Sequence, residues 1–198
     1  MLRTFDISHA RGSGDRMIGQ LQRVCAKVYA AEPAGIADET FVPIFHEWIR
    51  KRALDAVLLD VADYTHAPDS PGVMLIGHDA TYALDRSDGG FGLLVQRRRP
   101  AGDDATAAIA AALRGLVTVA ERLESDRRLV GKLSFDRKRV RVEANDRLRA
   151  PNTDEGFFAF APLVRNAVTQ AFSGNPESVT RVVNDPRHRL AVDVRLAL

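Results

Sequence analysis

Apolar positions recur along the chain with two periods, close to two and close to three and a half, and these divide it into strands and helices. The stretch Leu21 to Ala31 fits both templates. Val24, Ala26 and Val28 have strand spacing, while Leu21, Cys25 and Val28 would share a helix turn. The loop-forming "EPAGIADE" that follows favours the strand. In "DETFVPIFHEWIRKRAL" the period is unambiguous: Phe41, Ile44, Phe45, Trp48 and Ile49 form one apolar stripe of a helix. Asp38 or Thr40 is placed to cap it, Pro43 is tolerated in its first turn, and Arg50, Lys51 and Arg52 sit where the helix dipole favours cations.

The short run "AVLLDVADY" is apolar on both faces, which predicts a strand in the middle of a sheet. "PDSPGV" then pre-sets a rigid turn into a strand at residues 73–76, and "TYALD-RSDGG-FGLLVQ" predicts a hairpin. "RRRPAGDD" interrupts the pattern and marks a boundary between an N-terminal half, 1–100, and a C-terminal half, 101–198, of one compact unit. A long helix from about residue 104 to 125 opens the second half, capped by Asp103 or Asp104 and buried through Ile109, Leu113, Leu116, Val117, Ala120 and Leu123.

"LVGKLSF-DRK-RVRVEAND" predicts a second hairpin, whose alternation of Arg139, Val140, Arg141 and Val142 describes a sheet with one wet face. "APNTDEGFFAFAPLVRNAVTQAFSG" predicts a helix capped by Thr153, stopped at Gly174, and kinked or divided at Pro162. "SVTRVV-NDPRH-RLAVDVRL" closes with another hairpin. The expected class is α+β, with helices packed on a mainly antiparallel sheet and two similar halves, each a strand, a helix and further strands.

Composition narrows the functional classes. The chain has 198 residues, 45% of them hydrophobic and 27% charged, which describes a globular protein. A formal charge of +2 names no partner, and the 24 arginines beside four lysines fit the codon bias of a GC-rich bacterium. One cysteine, Cys25, excludes an internal disulfide and a cysteine-based zinc cluster within one chain, and its apolar surroundings suit core packing. The opening "MLRTFDISHARGSG" has no apolar signal region, and "ATAAIAAALRGLVTVA" is broken by Arg114. The expectation is a cytoplasmic protein with no membrane segment.

The strongest concentration of chemistry is "DYTHAPDSPGVMLIGHDATYALD". Asp60 and Asp63 end one strand, His66 and Asp69 lie in the loop, and His78 and Asp79 follow the next strand. Such a set suits ligand binding, or a metal-assisted hydrolase in which a carboxylate beside histidine acts as base, although its spacing matches no metal motif. His46 could join it if its helix crosses that edge, although a boundary histidine is the plainer reading.

The segment from Arg127 to Arg149 holds nine basic residues against three acids. Nucleic-acid binding through it ranks below the other readings, because stacking needs interleaved aromatics and only Phe135 is near. No Walker loop, nucleophile elbow or dinucleotide fingerprint occurs. The leading expectation is therefore a protein that acts by binding a small ligand, a protein partner or a second copy of itself; no cofactor is implied, no metal is assigned, and whether it is an enzyme is left open.

Overall fold

The computed structural model describes residues 17–31, 35–66, 71–101, 104–172 and 174–197. In chain order the elements are β1 (Val24–Ala30), α1 (Phe41–Lys51), β2 (Leu58–Asp63), β3 (Val73–Gly77), β4 (Ala80–Asp85), β5 (Gly92–Arg97), α2 (Ala105–Glu124), β6 (Phe135–Ala144), α3 (Asp154–Phe172), β7 (Pro176–Arg181) and β8 (Ala191–Leu196). A single 3-10 turn, Asp38–Thr40, precedes α1. The eight strands form one antiparallel sheet in the order β2-β3-β4-β5-β1-β6-β8-β7, so the fold is α+β as expected.

The order shows how the halves are built. In each, the first strand is followed by a helix and then by a meander whose last strand returns to pair with the first: β5 with β1, and β8 with β6. β1 and β6 pair with each other at the centre, so strands from both halves share one sheet. α1 packs against β2 and β3, α2 over β1 and β5, and α3 against α2 and β7.

Strand alternation assigns the two faces. Val61, Leu75, Tyr82, Val95, Ala26, Val142 and Val192 are successive partners across seven strands. All belong to or pack against the core that the helices cover. One residue further along, the opposite face carries Ala62, Met74, Ala83, Leu94, Lys27, Arg141, Asp193 and Thr180 in register. That row is apolar from β2 to β5 and charged from β1 to β8. A period of two thus writes two chemistries onto one sheet.

Several expectations need correction. β2 is an edge strand, with Leu59 55% exposed, because apolar composition does not report whether a strand has one neighbour or two. The segment 127–144 is not a hairpin: "DRK" lies inside the single ten-residue strand β6. The chain before it is held in turns by Asp126, whose carboxylate accepts from the Arg128 backbone and side chain. α3 runs as one helix through Pro162. Phe158, whose carbonyl the proline leaves without a helical donor, and Pro162 itself are both exposed, so water can serve that carbonyl.

Among the described helices α1 to α3, two starts follow capping chemistry. Asp104 accepts from the Ala107 backbone, and Thr153 from Gly156. Neither Asp38 nor Thr40 caps α1; Asp38 instead pairs with Arg86 at 2.9 Å. Among the described residues no helix is long and apolar enough to cross a membrane.

Candidate functional site

The candidate site begins on β1, "VCAKVYA". Its even positions face the helices, so Cys25, Lys27 and Tyr29 face the other way. A lysine at the centre of a central strand needs partners, since an unpaired ammonium cannot stay charged away from water. Lys27 is 3% exposed and donates all three of its N–H groups: to Asp85 Oδ2 at 2.6 Å, Asp88 Oδ1 at 2.5 Å and the Gly90 carbonyl at 2.8 Å. Asp85 ends β4, and the β4–β5 turn "RSDGG" carries Asp88 over the sheet. Gly92, beside that turn, lets Lys27 lie flat; a Cβ there would collide with the Val28 carbonyl and approach the lysine stem.

Asp88 joins this pin to β6. Its Oδ2 accepts from Tyr29 Oη at 2.5 Å and from Arg141 Nη1 at 2.8 Å. Arg141 also grips Asp193 on β8 through two nitrogens, Nε at 2.9 Å and Nη2 at 3.2 Å, and Arg139 adds a bond to the same carboxylate at 3.0 Å. The Arg139 guanidinium lies 4.4 Å from the centre of the Tyr29 ring. Burial opposes ionisation of Asp88, but the bonds from Lys27 and Tyr29 outweigh it and hold the carboxyl below its ordinary range. Burial also opposes Asp193, and Arg141 reverses the effect in the same way. Tyr29 is pushed up by burial and by its bond to Asp88.

This network holds structure together. Every Lys27 proton has an acceptor, and Arg141, expected on the wet face of the sheet, is largely buried and tied to β8 and to the β4–β5 turn. The basic run behaves alike elsewhere. Arg128 pairs with Asp126 and Glu47, Arg137 with Glu124, and Arg149 with Asp146. Glu47, Glu124, Asp88 and Asp193, from other segments, and the adjacent Asp126 thus offset much of the local positive excess.

Next to the network the chemistry changes. A cleft of about 770 Å³ opens between the end of β6, the loop after it and the β7–β8 loop. Asp88, Arg141 and Glu143 form its floor, and Arg147, Arg187, His188 and Arg189 stand around it. Arg187 is tied to Asp185 at 2.7 Å, and Arg189 lies 3.7 Å from Glu143. Arg147 donates to the Arg187 carbonyl at 2.6 Å and, among the described residues, meets no carboxylate.

Glu143 is held above the ordinary carboxyl range. Burial is the main cause, opposed only in part by Arg189 and Arg141. Cys25 lies beside it, with Arg189 Nη1 at 3.8 Å from its sulfur, and burial pushes the thiol up to about 12. That cysteine is protonated and fully buried, which suits packing and not nucleophilic attack.

The loops around the cleft are fixed. Asn152 Nδ2 donates to Asn184 Oδ1 at 2.6 Å and to the Asp185 carbonyl at 3.2 Å, and Arg181 Nη2 donates to the Asn152 carbonyl at 2.8 Å. Asp185 caps its own turn by accepting from the Arg187 backbone at 2.8 Å, and the Arg187 side chain and backbone hold its carboxyl down to about 2.

The residues singled out from the sequence lie elsewhere. Asp63 ends β2 and accepts from the Thr65 hydroxyl and backbone at 2.7 and 2.9 Å, which lowers its pKa, with His66 nearby adding to the effect. The His66 ring stacks on Tyr64. Asp60 lies mid-strand and accepts from the Val61 backbone at 2.8 Å. His78 pairs with Asp79 at 2.8 Å beyond the far end of β3. Asp63 and His66 therefore meet at one end of the β2–β3 hairpin, and the five residues of β3, roughly 17 Å of strand, separate them from His78. Asp69 lies outside the described residues. Among the described residues no three His, Cys, Asp or Glu side chains group to hold a metal ion.

A second cavity, of about 400 Å³, lies on the helix side between α2, the end of α3 and β6. Leu116, Ala120, Val140 and Phe172 line it, and the charges at its mouth, Arg137 and Glu121, lie 3.9 Å apart. Its lining is mainly apolar, with Asn175 the one polar side chain besides that pair. The polar cleft offers both space and unpaired donors. The chain matches no family model and no curated protein sequence.

Proposed function

We propose that this is a ligand-binding protein that holds an anionic group in the cleft between β6 and the β7–β8 loop. The observation that supports this best is Arg147, a guanidinium on a braced loop with no carboxylate partner among the described residues. Arg189, just before β8, also lines the cleft, with only loose contacts to Glu143 at 3.7 Å and the Cys25 sulfur at 3.8 Å. Four arginines line the cleft; Arg141 and Arg187 are paired with Asp193 and Asp185, which leaves Arg147 and the loosely held Arg189 to meet an anion. Guanidinium groups bind carboxylates and phosphates through paired N–H groups, and loops already held in place lose little entropy on binding.

Inorganic phosphate, compared with chloride at equal ionic strength, should raise the thermal midpoint. At a hundredfold excess over Kd the stabilisation is about 2.7 kcal/mol. Arg147→Gln with Arg189→Gln should abolish that shift; the ligand-free midpoint should fall only modestly, because both side chains are exposed and outside the Lys27 network although they brace the loop and offset Glu143. An equal phosphate shift in the double variant would overturn the reading.

Glu143 sets the pH dependence. It faces Arg189, Arg141, the Cys25 thiol and, more distantly, Asp85 and Asp88. Because its folded pKa is raised, it takes up a proton as pH falls through that value, and the cleft loses one negative charge. Affinity for sulfate, whose charge stays constant as pH falls, should therefore rise towards lower pH, and Glu143→Gln should hold it high and flatten its dependence. The same sign governs stability: the folded state favours the protonated acid, so Glu143 destabilises the chain as pH rises through its folded pKa. Affinity that falls on acidification in the native chain but not in Glu143→Gln would contradict the assignment.

A further inference from the structure

We infer that the anionic group held in this cleft belongs to an acidic polypeptide segment that also carries apolar side chains. The inference rests on the reading of the cleft as an anion site and adds the nature of the partner. Leu148 and Val183 are 88% and 89% exposed, more than any other large hydrophobic residue described. A single exposed apolar side chain carries no message. These two, however, are each next in sequence to residues that line the cleft, Leu148 to Arg147 and Val183 to Val182 and Asn184.

The loops that bear them are braced against each other by the Asn152–Asn184 bond and by Arg147 on the Arg187 carbonyl. Leu148 and Val183 thus stand on the two loops that border the basic cleft, on a scaffold ordered without ligand. Such an arrangement, apolar anchors beside arginines, is the composition enriched at protein interfaces.

Size and charge support the same partner. About 770 Å³ lies in the range of sites that enclose drug-sized molecules, far more than one anionic group fills. Arg147 and Arg189, the two lining arginines without a close carboxylate partner, complement carboxylates. No Phe, Tyr or Trp lines the cleft, so the bases of a nucleic acid would find only His188 and guanidinium planes to stack on. A segment alternating acidic and apolar residues would place carboxylates on Arg147 and Arg189 and its apolar side chains on Leu148 and Val183.

The test uses the full chain and four probes: a short labelled peptide of alternating glutamate and leucine, the same peptide with serine for leucine, inorganic phosphate, and a single-stranded oligonucleotide. The leucine peptide should bind at least about tenfold tighter than the serine peptide, since burying even part of two apolar side chains supplies that factor. Leu148→Ser with Val183→Ser should remove this difference and leave phosphate affinity unchanged. Arg147→Gln with Arg189→Gln should weaken peptide and phosphate alike. Thermal melts confirm that both double variants fold, as substitutions at exposed positions should allow.

If the two peptides bind equally while phosphate still binds through the arginines, the partner assignment fails and the anion site stands. If neither peptide nor phosphate binds, both fail. Binding of the oligonucleotide more tightly than the leucine peptide would overturn the assignment in favour of nucleic acid.

Discussion

Replacing Lys27 with methionine should cost about 3–5 kcal/mol, the range for removing one partner of a buried ion pair. The loss should appear as a lower midpoint in urea unfolding with little change in slope. The lysine is 3% exposed and Asp85 is 4% exposed at its side chain, so the variant leaves two carboxylates facing an apolar thioether with little water to replace the ammonium. Asp88 would keep Tyr29 and Arg141. Asp85 would keep only a 3.3 Å bond from the Ser87 backbone. The double variant Lys27→Met with Asp85→Leu should therefore recover much of the loss, because it removes the stranded charge as well as the cation. A single-variant cost below about 1 kcal/mol would mean that water reaches the pair and that the network does not brace the sheet.

Trp48→Ala should be comparably costly, about 3–5 kcal/mol. Trp48 is 4% exposed, its ring lies 5.5 Å from Phe45, and Phe45 continues through Phe41 to Phe91 beside β5. Truncation opens a cavity between α1 and the rest of the core, and Arg122, whose guanidinium lies 5.8 Å from the indole, loses its contact too. α1 is short and lacks a side-chain cap, so packing and not intrinsic helicity must hold it. A loss below about 1 kcal/mol would place the stripe outside the cooperative core.

The two sites differ in how far the sequence discloses them. Phe41, Ile44, Phe45 and Trp48 lie within eight residues and share one helical face, so local periodicity predicts their burial. The β4–β5 and β7–β8 hairpins are legible for the same reason, since turn residues sit directly between two apolar runs. β2 misleads because "AVLLDVADY" has the composition of a central strand, while edge position depends on which strands lie beside it. β6 misleads because "DRK" has turn chemistry, yet the long pairing with β1 and β8 carries the strand through it.

The candidate site is the least legible part. Lys27, Asp85 with Asp88, Arg141 and Asp193 come from well-separated segments and meet through the registers of β4 with β5, β1 with β5 and β6, and β6 with β8. The one local signal is Lys27 itself, a rare lysine at the centre of an apolar strand, whose burial demands carboxylate partners without naming them. The Asp/His stretch at 60–79 stands out as letters, but the hairpin separates its members by the length of β3. Arg147 and Arg189 are ordinary arginines among 24, distinguished only by the partners they lack or hold loosely in three dimensions.

The anion cleft is tested most directly by following arginine side-chain N–H resonances of the labelled protein during titration with inorganic phosphate at constant ionic strength. The Nε–H signals of Arg147 and Arg189 should move together and saturate, while those of Arg128 and Arg137, tied to carboxylates far from the cleft, should stay in place. Saturating shifts confined to Arg137 and the helix-side cavity, or small unsaturated shifts spread over all the arginines, would contradict the account.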